Sequence, residues 1–224
     1  MPLKASDLAA IRRCALFHEI AESDLTALLA CLGARCIRLG KDGILFRMGD
    51  KANRFAILLS GSLVVVTYGE DGRRTIIKGL EAGALVAAAQ ALAGVAALRV
   101  GVEASAPSEV LVLNADRVIS PCTQACAFHA RLVRNMMTIV AQKTLELNAR
   151  IEILSHRSTA DRLLTYLRSV AAEHGQSEFD IPFDRQQLAD FLCVERSALS
   201  AEISRLSRLG FITSRKNHFA LRGK

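Results

Sequence analysis

The sequence predicts an α+β fold: an N-terminal β jelly roll, one long helix, and short helices closed by a hairpin. Three observations predict it. From Cys36 to about Leu113, short apolar runs alternate with glycine-bearing turns. After Pro121 a heptad seam is held for about four heptads. Residues 187–206, "QLADFLCVERSALSAEISRL", then set two short apolar-periodic segments around a three-residue break.

At 224 residues and 51% hydrophobic, the chain has ample material for a core, in one large domain or two smaller ones. The expected division is 1–120, 121–156 and 157–224. Residues 6–34 read as helical, with Leu25, Leu28, Leu29 and Leu32 on one stripe. The runs "CIRL", "GILF", "FAILL", "LVVVTY", "TIIKGL" and "EVLVL" read as strands, and "GEDG" at 69–72 as a hairpin tip. The stretch "ALVAAAQALAGVAAL" (84–98) looks membrane-like. It is Ala-rich, falls short of the ~20 residues a span needs, and ends at Arg99. The first residues, "MPLKASDLAAIRRCALF", show no apolar core or small-residue cleavage site, so no signal peptide is read and a cytoplasmic protein is expected. Six cysteines in such a chain are expected as reduced thiols or metal ligands, not a disulfide framework.

From about Pro121 to His156 one helix carries Cys126, Ala130, Val133, Met137, Val140, Thr144, Leu147, Ile151 and Leu154 at alternating spacings of four and three. That seam suits a coiled coil between identical chains. A second stripe, Phe128, Leu132, Met136 and Ile139, is expected to pack back on the strands. "STAD" (158–161) and "DRQQ" (184–187) have capping-box spacing, and each opens a helix. "EHGQSEFDIPF" reads as a break with a short strand, and "GFITSRKNHFALRG" as a hairpin turning at Lys216-Asn217.

The formal charge is +7, and its placement matters more than its size. From Arg196 onward Arg196, Arg205, Arg208, Arg215, Lys216, Arg222 and Lys224 face a single acid, Glu202. A polyanion is the natural partner for that end of the chain. With Phe 9, Tyr 2 and Trp 0, stacking on single-stranded nucleic acid is not expected. Leu188, Ala189, Leu192, Val194, Leu199 and Ile203 form the inner face of two helices crossing over a tight turn. The first turns of the second helix stay free to enter a major groove. Arg196 can donate two hydrogen bonds to a guanine edge, and Ser197 and Ser200 can donate to bases or phosphates. Arg205 adds charge along the same helix, and Arg215 and Lys216 suit a wing on the backbone. Cys193 stands where such turns commonly have Gly; a left-handed backbone there would cost about 1–2 kcal/mol.

With these residues in view, the chain resembles the cyclic-AMP receptor protein and fumarate–nitrate regulator superfamily of bacterial transcription factors. The matching parts are "ILFRMGDKANRFAILLSGSLVVV" with its "GEDGRR" hairpin, the long connecting helix, and "DRQQLADFLCVERSALSAEISRLSRLGFI". The resemblance implies a cyclic-nucleotide-binding-like jelly roll that senses an effector, a dimerisation helix, and a winged helix-turn-helix reading a two-fold site in double-stranded DNA. It implies RNA polymerase as a further partner and no membrane. By the same analogy Arg196 reads a base, while Arg185 and Gln186 touch phosphates. Family members often place an acid or Ser after that Arg, and another Arg four residues beyond the acid. Ser197 and Ala201 stand at those positions here, so the half-site is expected to differ from the cyclic-AMP receptor's.

In the superfamily's cyclic-nucleotide sensors a Phe-Gly-Glu holds the ribose and an Arg-Ser pair the phosphate. Ala88 stands here for the Glu, and Leu98-Arg99 for the Arg-Ser. Losing the carboxylate removes a charge-assisted pair worth roughly 1.5–3 kcal/mol, so cyclic AMP is not the expected effector. An apolar small molecule, haem, or no ligand remain open. On the long helix Cys122, Cys126 and His129 fall within about 60° of one another, on the seam face. Zinc, an iron centre, haem or an interchain disulfide would suit them. So would plain packing, with Cys126 a small seam residue and His129 a partly exposed neighbour. Cys14, Cys31 and Cys36 lack the close spacing of the superfamily's N-terminal iron–sulfur ligands.

None of the five histidines lies between Cys36 and Leu113, so the barrel has no His ligands for metal-dependent catalysis. There is no nucleophile motif and no phosphate-cradling loop, and no enzymatic activity is expected. The alternatives to an effector-controlled regulator are an effector-independent one, and a ligand-binding module without DNA function.

Overall fold

The structure, a computed structural model, describes residues 5–120 and 127–222. Contacts divide the chain into two compact units, at Ala141/Gln142. The division falls inside one long helix, whose two halves belong to different bodies.

The first unit opens with α1 (Ala5–Arg13), a 3-10 turn (Ala15–Phe17) and α2 (Glu22–Cys31). Then come β1 (Arg35–Leu39), β2 (Ile44–Phe46), β3 (Arg54–Ser60), β4 (Leu63–Tyr68), β5 (Arg74–Leu80), β6 (Leu85–Val86), α3 (Ala88–Leu92), β7 (Gly101–Ala104), β8 (Ser108–Asn114) and α4 (Ala115–Ile119). The strands form two antiparallel four-stranded sheets, β1-β8-β3-β6 and β2-β7-β4-β5, the layout of a jelly roll.

The continuous apolar run of β3 follows from burial on both sides. Phe55, Ile57 and Leu59 join Leu111 and Leu113 in a core shared with Leu16, Leu25, Leu28 and Leu32 of the N-terminal helical segment. Ala56 and Leu58 point the other way, into a second core with Phe46, Leu63, Val102, Val110 and Val112. A strand covered on both faces has no reason to alternate. The "GEDG" segment turns as expected, with the Gly72 N–H donating to the Gly69 carbonyl at 2.9 Å.

Helix α5 (Ala127–Ser155) begins in this unit. Its Leu132 and Met136 are buried in the helical core, with Phe128 and Ile139 packed partly against it, as the second stripe predicts. Asn135 Nδ2 donates to the Leu16 and His18 carbonyls at 3.0 and 2.8 Å, and Arg131 pairs with Glu19. The seam positions Met137, Val140, Leu147 and Ile151 stay exposed on the single chain.

The second unit holds the end of α5, α6 (Thr159–His174), β9 (Glu178–Asp180), α7 (Arg185–Leu192), α8 (Arg196–Arg208), β10 (Ile212–Arg215) and β11 (His218–Leu221). Its sheet runs β10-β11-β9. Ser158 caps α6 by accepting from the Asp161 N–H at 3.0 Å, and its hydroxyl also meets the Asp161 carboxylate at 2.6 Å. The core gathers Ile153, Leu163, Leu167, Leu188, Leu199, Ile203, Ile212 and Phe219. No helix among the described residues is long and apolar enough to cross a membrane.

Candidate nucleic-acid interface

The Asp184/Gln187 capping box starts α7. The Gln187 N–H donates to Asp184 Oδ1 at 2.8 Å, and the Asp184 N–H to Gln187 Oε1 at 2.9 Å. The helix stops at Cys193, which is left-handed at φ 53°, ψ 51°. That one residue turns the chain so that α8 crosses α7, with Leu188, Ala189 and Leu192 buried against Leu199 and Ile203. Replacing Cys193 by Gly removes a left-handed penalty of about 1–2 kcal/mol, offset by roughly 0.5–1 kcal/mol of glycine entropy. Cys193→Gly therefore unfolds a few degrees higher, while Cys193→Ala does not; thermal unfolding of both checks this.

Arg196 is the first residue of α8 and exposed, and Ser197 and Ser200 lie exposed on the same helix. An open groove of about 700 Å³ brings Arg196 together with Arg185 and Gln186 of α7 and with Lys216 of the wing turn. Arg185 is braced within the unit: its guanidinium lies 4.9 Å over the Phe219 ring, and Nη2 donates to Ser214 Oγ at 3.2 Å. Burial lowers its pKa, but a guanidinium stays cationic. Gln186 Nε2 donates to Asp190 Oδ1 at 2.8 Å. Lys216 is left-handed at φ 55°, at the tip between β10 and β11. Arg215 is exposed beside it.

Arg205 stands apart from the groove. Its Nη2 lies 2.6 Å from Glu202 Oε1, and that hydrogen bond raises its pKa. Its charge is thus already countered by a carboxylate within its own helix. The groove also includes Asp184, Gln187 and Asn217, which sequence reasoning did not place at the interface. Their capping and turn roles hid them: Asn217 Nδ2 donates to the Ile181 carbonyl at 3.2 Å, fixing the wing tip to the loop before α7.

On the central strand of the wing sheet His218 bridges two acids of β9, Nε2 to Glu178 Oε1 at 2.9 Å and Nδ1 to Asp180 Oδ1 at 3.0 Å. Only an imidazolium can donate at both nitrogens, and the hydrogen bond to Glu178, then that to Asp180, raises its pKa. A raised histidine pKa means the pairing contributes fully below the unfolded value of about 6.5 and is lost as pH rises through the folded value. The wild-type melting temperature should therefore fall between about pH 6 and pH 8 relative to a His218→Gln chain. Parallel curves for the two proteins would refute this.

The sensor-side residues lie on and beside α3. Ala88 opens α3 after Ala87, itself left-handed at φ 61°, and packs partly against the helical core. Leu98 is buried in the core between the sheets. Arg99 is exposed, its backbone N–H donating to Gln90 Oε1 at 3.3 Å. Cys122 and Cys126 lie outside the described residues. His129 differs from expectation: rather than a partly exposed seam neighbour it is buried at 5% exposure, with Nε2 3.0 Å from the Val118 carbonyl and Nδ1 without a hydrogen-bond partner among the described residues. It takes the inward side of α5 because Leu132 and Met136 of the second stripe draw that side onto the sheets. No group of three or more metal-ligating side chains occurs among the described residues.

Residues 36–124 match the cyclic nucleotide-binding domain family, and residues 160–222 the Crp-like helix-turn-helix domain family. Among solved structures, DNR from Pseudomonas aeruginosa aligns over 100% of this chain and 97% of its own, at 19% identity and TM-score 0.53. The Thermus thermophilus catabolite activator protein aligns over 93% of both chains, at 19% identity and TM-score 0.50. The c-di-GMP responsive regulator CLP from Xanthomonas campestris aligns over 91% of this chain and 100% of its own, at 17% identity and TM-score 0.51. These are likenesses of fold. A search of curated proteins by sequence gave no match.

Proposed function

The chain belongs to the Crp/FNR superfamily of DNA-binding transcription regulators, and from that premise we propose that it works as an effector-controlled homodimer on a two-fold operator. In this reading 1–120 is the sensor, 121–156 the dimer spine and 157–224 the DNA reader. One observation carries it: Arg196, Gln186, Arg185 and Lys216, drawn from the recognition helix, its partner helix and the wing, meet in one open groove.

Arg196 reads a base edge, with Ser197 and Ser200 beside it, while Arg185, Gln186, Arg215 and Lys216 hold the phosphates on either side. Two copies, related by the exposed seam of α5, place their recognition helices about 34 Å apart, one turn of duplex. The effector acts by biasing the packing of the two spine helices and so that spacing. Cyclic AMP is not the effector, because Ala88 offers no carboxylate to a ribose and Arg99 stands exposed at the surface.

A salt titration of duplex binding tests this, with and without cyclic AMP. Three backbone cations per protomer (Arg185, Arg215, Lys216) predict about six neutralised phosphates per dimer, hence a log–log slope near −5, unchanged by the nucleotide. A slope shallower than about −2 would sink the interface, and a cyclic-AMP dependence would sink the reading of the sensor.

A further inference from the structure

We propose that Arg162 is a positioning residue for DNA recognition, a clamp that fixes the turn before the recognition helix to the residue that follows the spine helix. This rests on α8 being the DNA-reading helix.

Arg162 lies in the first turns of α6, half-buried, and makes no ion pair within salt-bridge distance among those described. Its partners are three main-chain carbonyls. Nε donates to the His156 carbonyl at 2.8 Å, just past the end of α5. Nη1 donates to the Leu192 carbonyl at 3.0 Å and the Cys193 carbonyl at 3.3 Å, at the end of α7. Helix C-termini leave carbonyls without intrahelical partners and carry a partial negative charge. Two such ends converge on one guanidinium, which satisfies three acceptors and both dipoles at once.

The position of those carbonyls gives the contact its consequence. Leu192 and Cys193 form the turn whose left-handed backbone aims α8. Arg196, the base-reading residue, follows three positions after Cys193. A hold on the turn therefore fixes the direction from which Arg196 enters the groove, and the grip on His156 refers that direction to the spine. Arg150 of α5 reinforces the link, its guanidinium 5.1 Å over the ring of Phe191 in α7. Lysine cannot substitute. Its point-like ammonium lacks the planar fork that reaches carbonyls on two separate elements.

The test uses the full chain, the duplex that wild-type protein selects from a random library, and a scrambled duplex of equal length. Arg162→Ala and Arg162→Lys should each bind the selected duplex at least tenfold more weakly, yet bind the scrambled duplex within about twofold of wild type, because the phosphate-facing cations are untouched. The amide of Val194 should exchange faster in both. Equal weakening on both duplexes would mean that Arg162 supplies charge or bulk stability, and the clamp would be overturned. Lysine restoring wild-type selectivity would overturn it as well, as would unchanged binding by either variant. Arg162→Lys keeps the aliphatic stem, so it carries the test if the alanine chain fails to fold. Failure of wild-type protein to select any duplex would instead strike the DNA-reading assignment of α8.

Discussion

Arg196→Ala lowers affinity for the selected duplex by about 1–3 kcal/mol per half-site, roughly five- to 150-fold, and relaxes the preference at one base pair in each. The expectation follows from where the side chain sits. Arg196 is exposed at the first position of α8, so its removal opens no cavity and unpairs no buried group. Among the described residues its side chain makes no hydrogen bond or ion pair, unlike Arg185 on Phe219 and Ser214 or Arg205 on Glu202. Its donors are available for a base. Selection from random duplexes with wild type and variant, read by sequencing, shows which position loses its preference. The salt slope should not change, since a base contact releases no counterion. Arg185→Ala supplies the contrast: it frees the Phe219 ring, loosens Ser214, and removes a phosphate contact, so affinity falls uniformly across sequences and the slope becomes shallower by about one per protomer. An Arg196→Ala protein with full selectivity would remove the direct-readout role.

Much of this was legible in the residues because local chemistry decided it. The capping box at Asp184 and Gln187 needs only neighbours in sequence, and it forms as the spacing predicts. The left-handed turn at Cys193 could be placed because helix ends constrain one residue at a time. β7 went unread: Gly101 and Glu103 break its apolar pattern. The structure explains both. A Cβ at Gly101 would sit 3.1 Å from Val66 Cγ2, and Glu103 faces outward to Tyr68 and Arg74. His129 was misplaced for another reason. Helical angles say which residues share a face, but α5 has two apolar faces, and only the sheets decide which one His129 joins. Arg162 gave no signal at all, since a side chain that donates to carbonyls of residues 156, 192 and 193 leaves no pattern of residue types to read.

The largest effect is expected from the spine. Leu147→Asp with Ile151→Asp should convert the protein to a monomer and lower affinity for the two-fold duplex by on the order of 10²–10⁴-fold, because two linked half-site contacts become one. Ile151 is 65% exposed and Leu147 53% exposed on the single chain, so neither holds its own protomer together. Their neighbour Ile153 shows the contrast, at 4% exposed within the core of the second unit. Residues two positions apart on one helix thus divide between a core the chain satisfies alone and a seam it leaves uncovered. Uncovered side chains of this size, repeated at heptad spacing from Met137, call for a matching helix, and an identical one satisfies the repeat by symmetry. Sedimentation at micromolar concentration reads the assembly state, and thermal unfolding confirms that each protomer stays folded. Each monomer keeps Arg196 and Lys216, so it still prefers the correct half-site, and halving the bound phosphates halves the salt slope. A double variant that remains dimeric would place the two-fold axis elsewhere on the chain. A monomeric variant with undiminished affinity would show that one copy suffices.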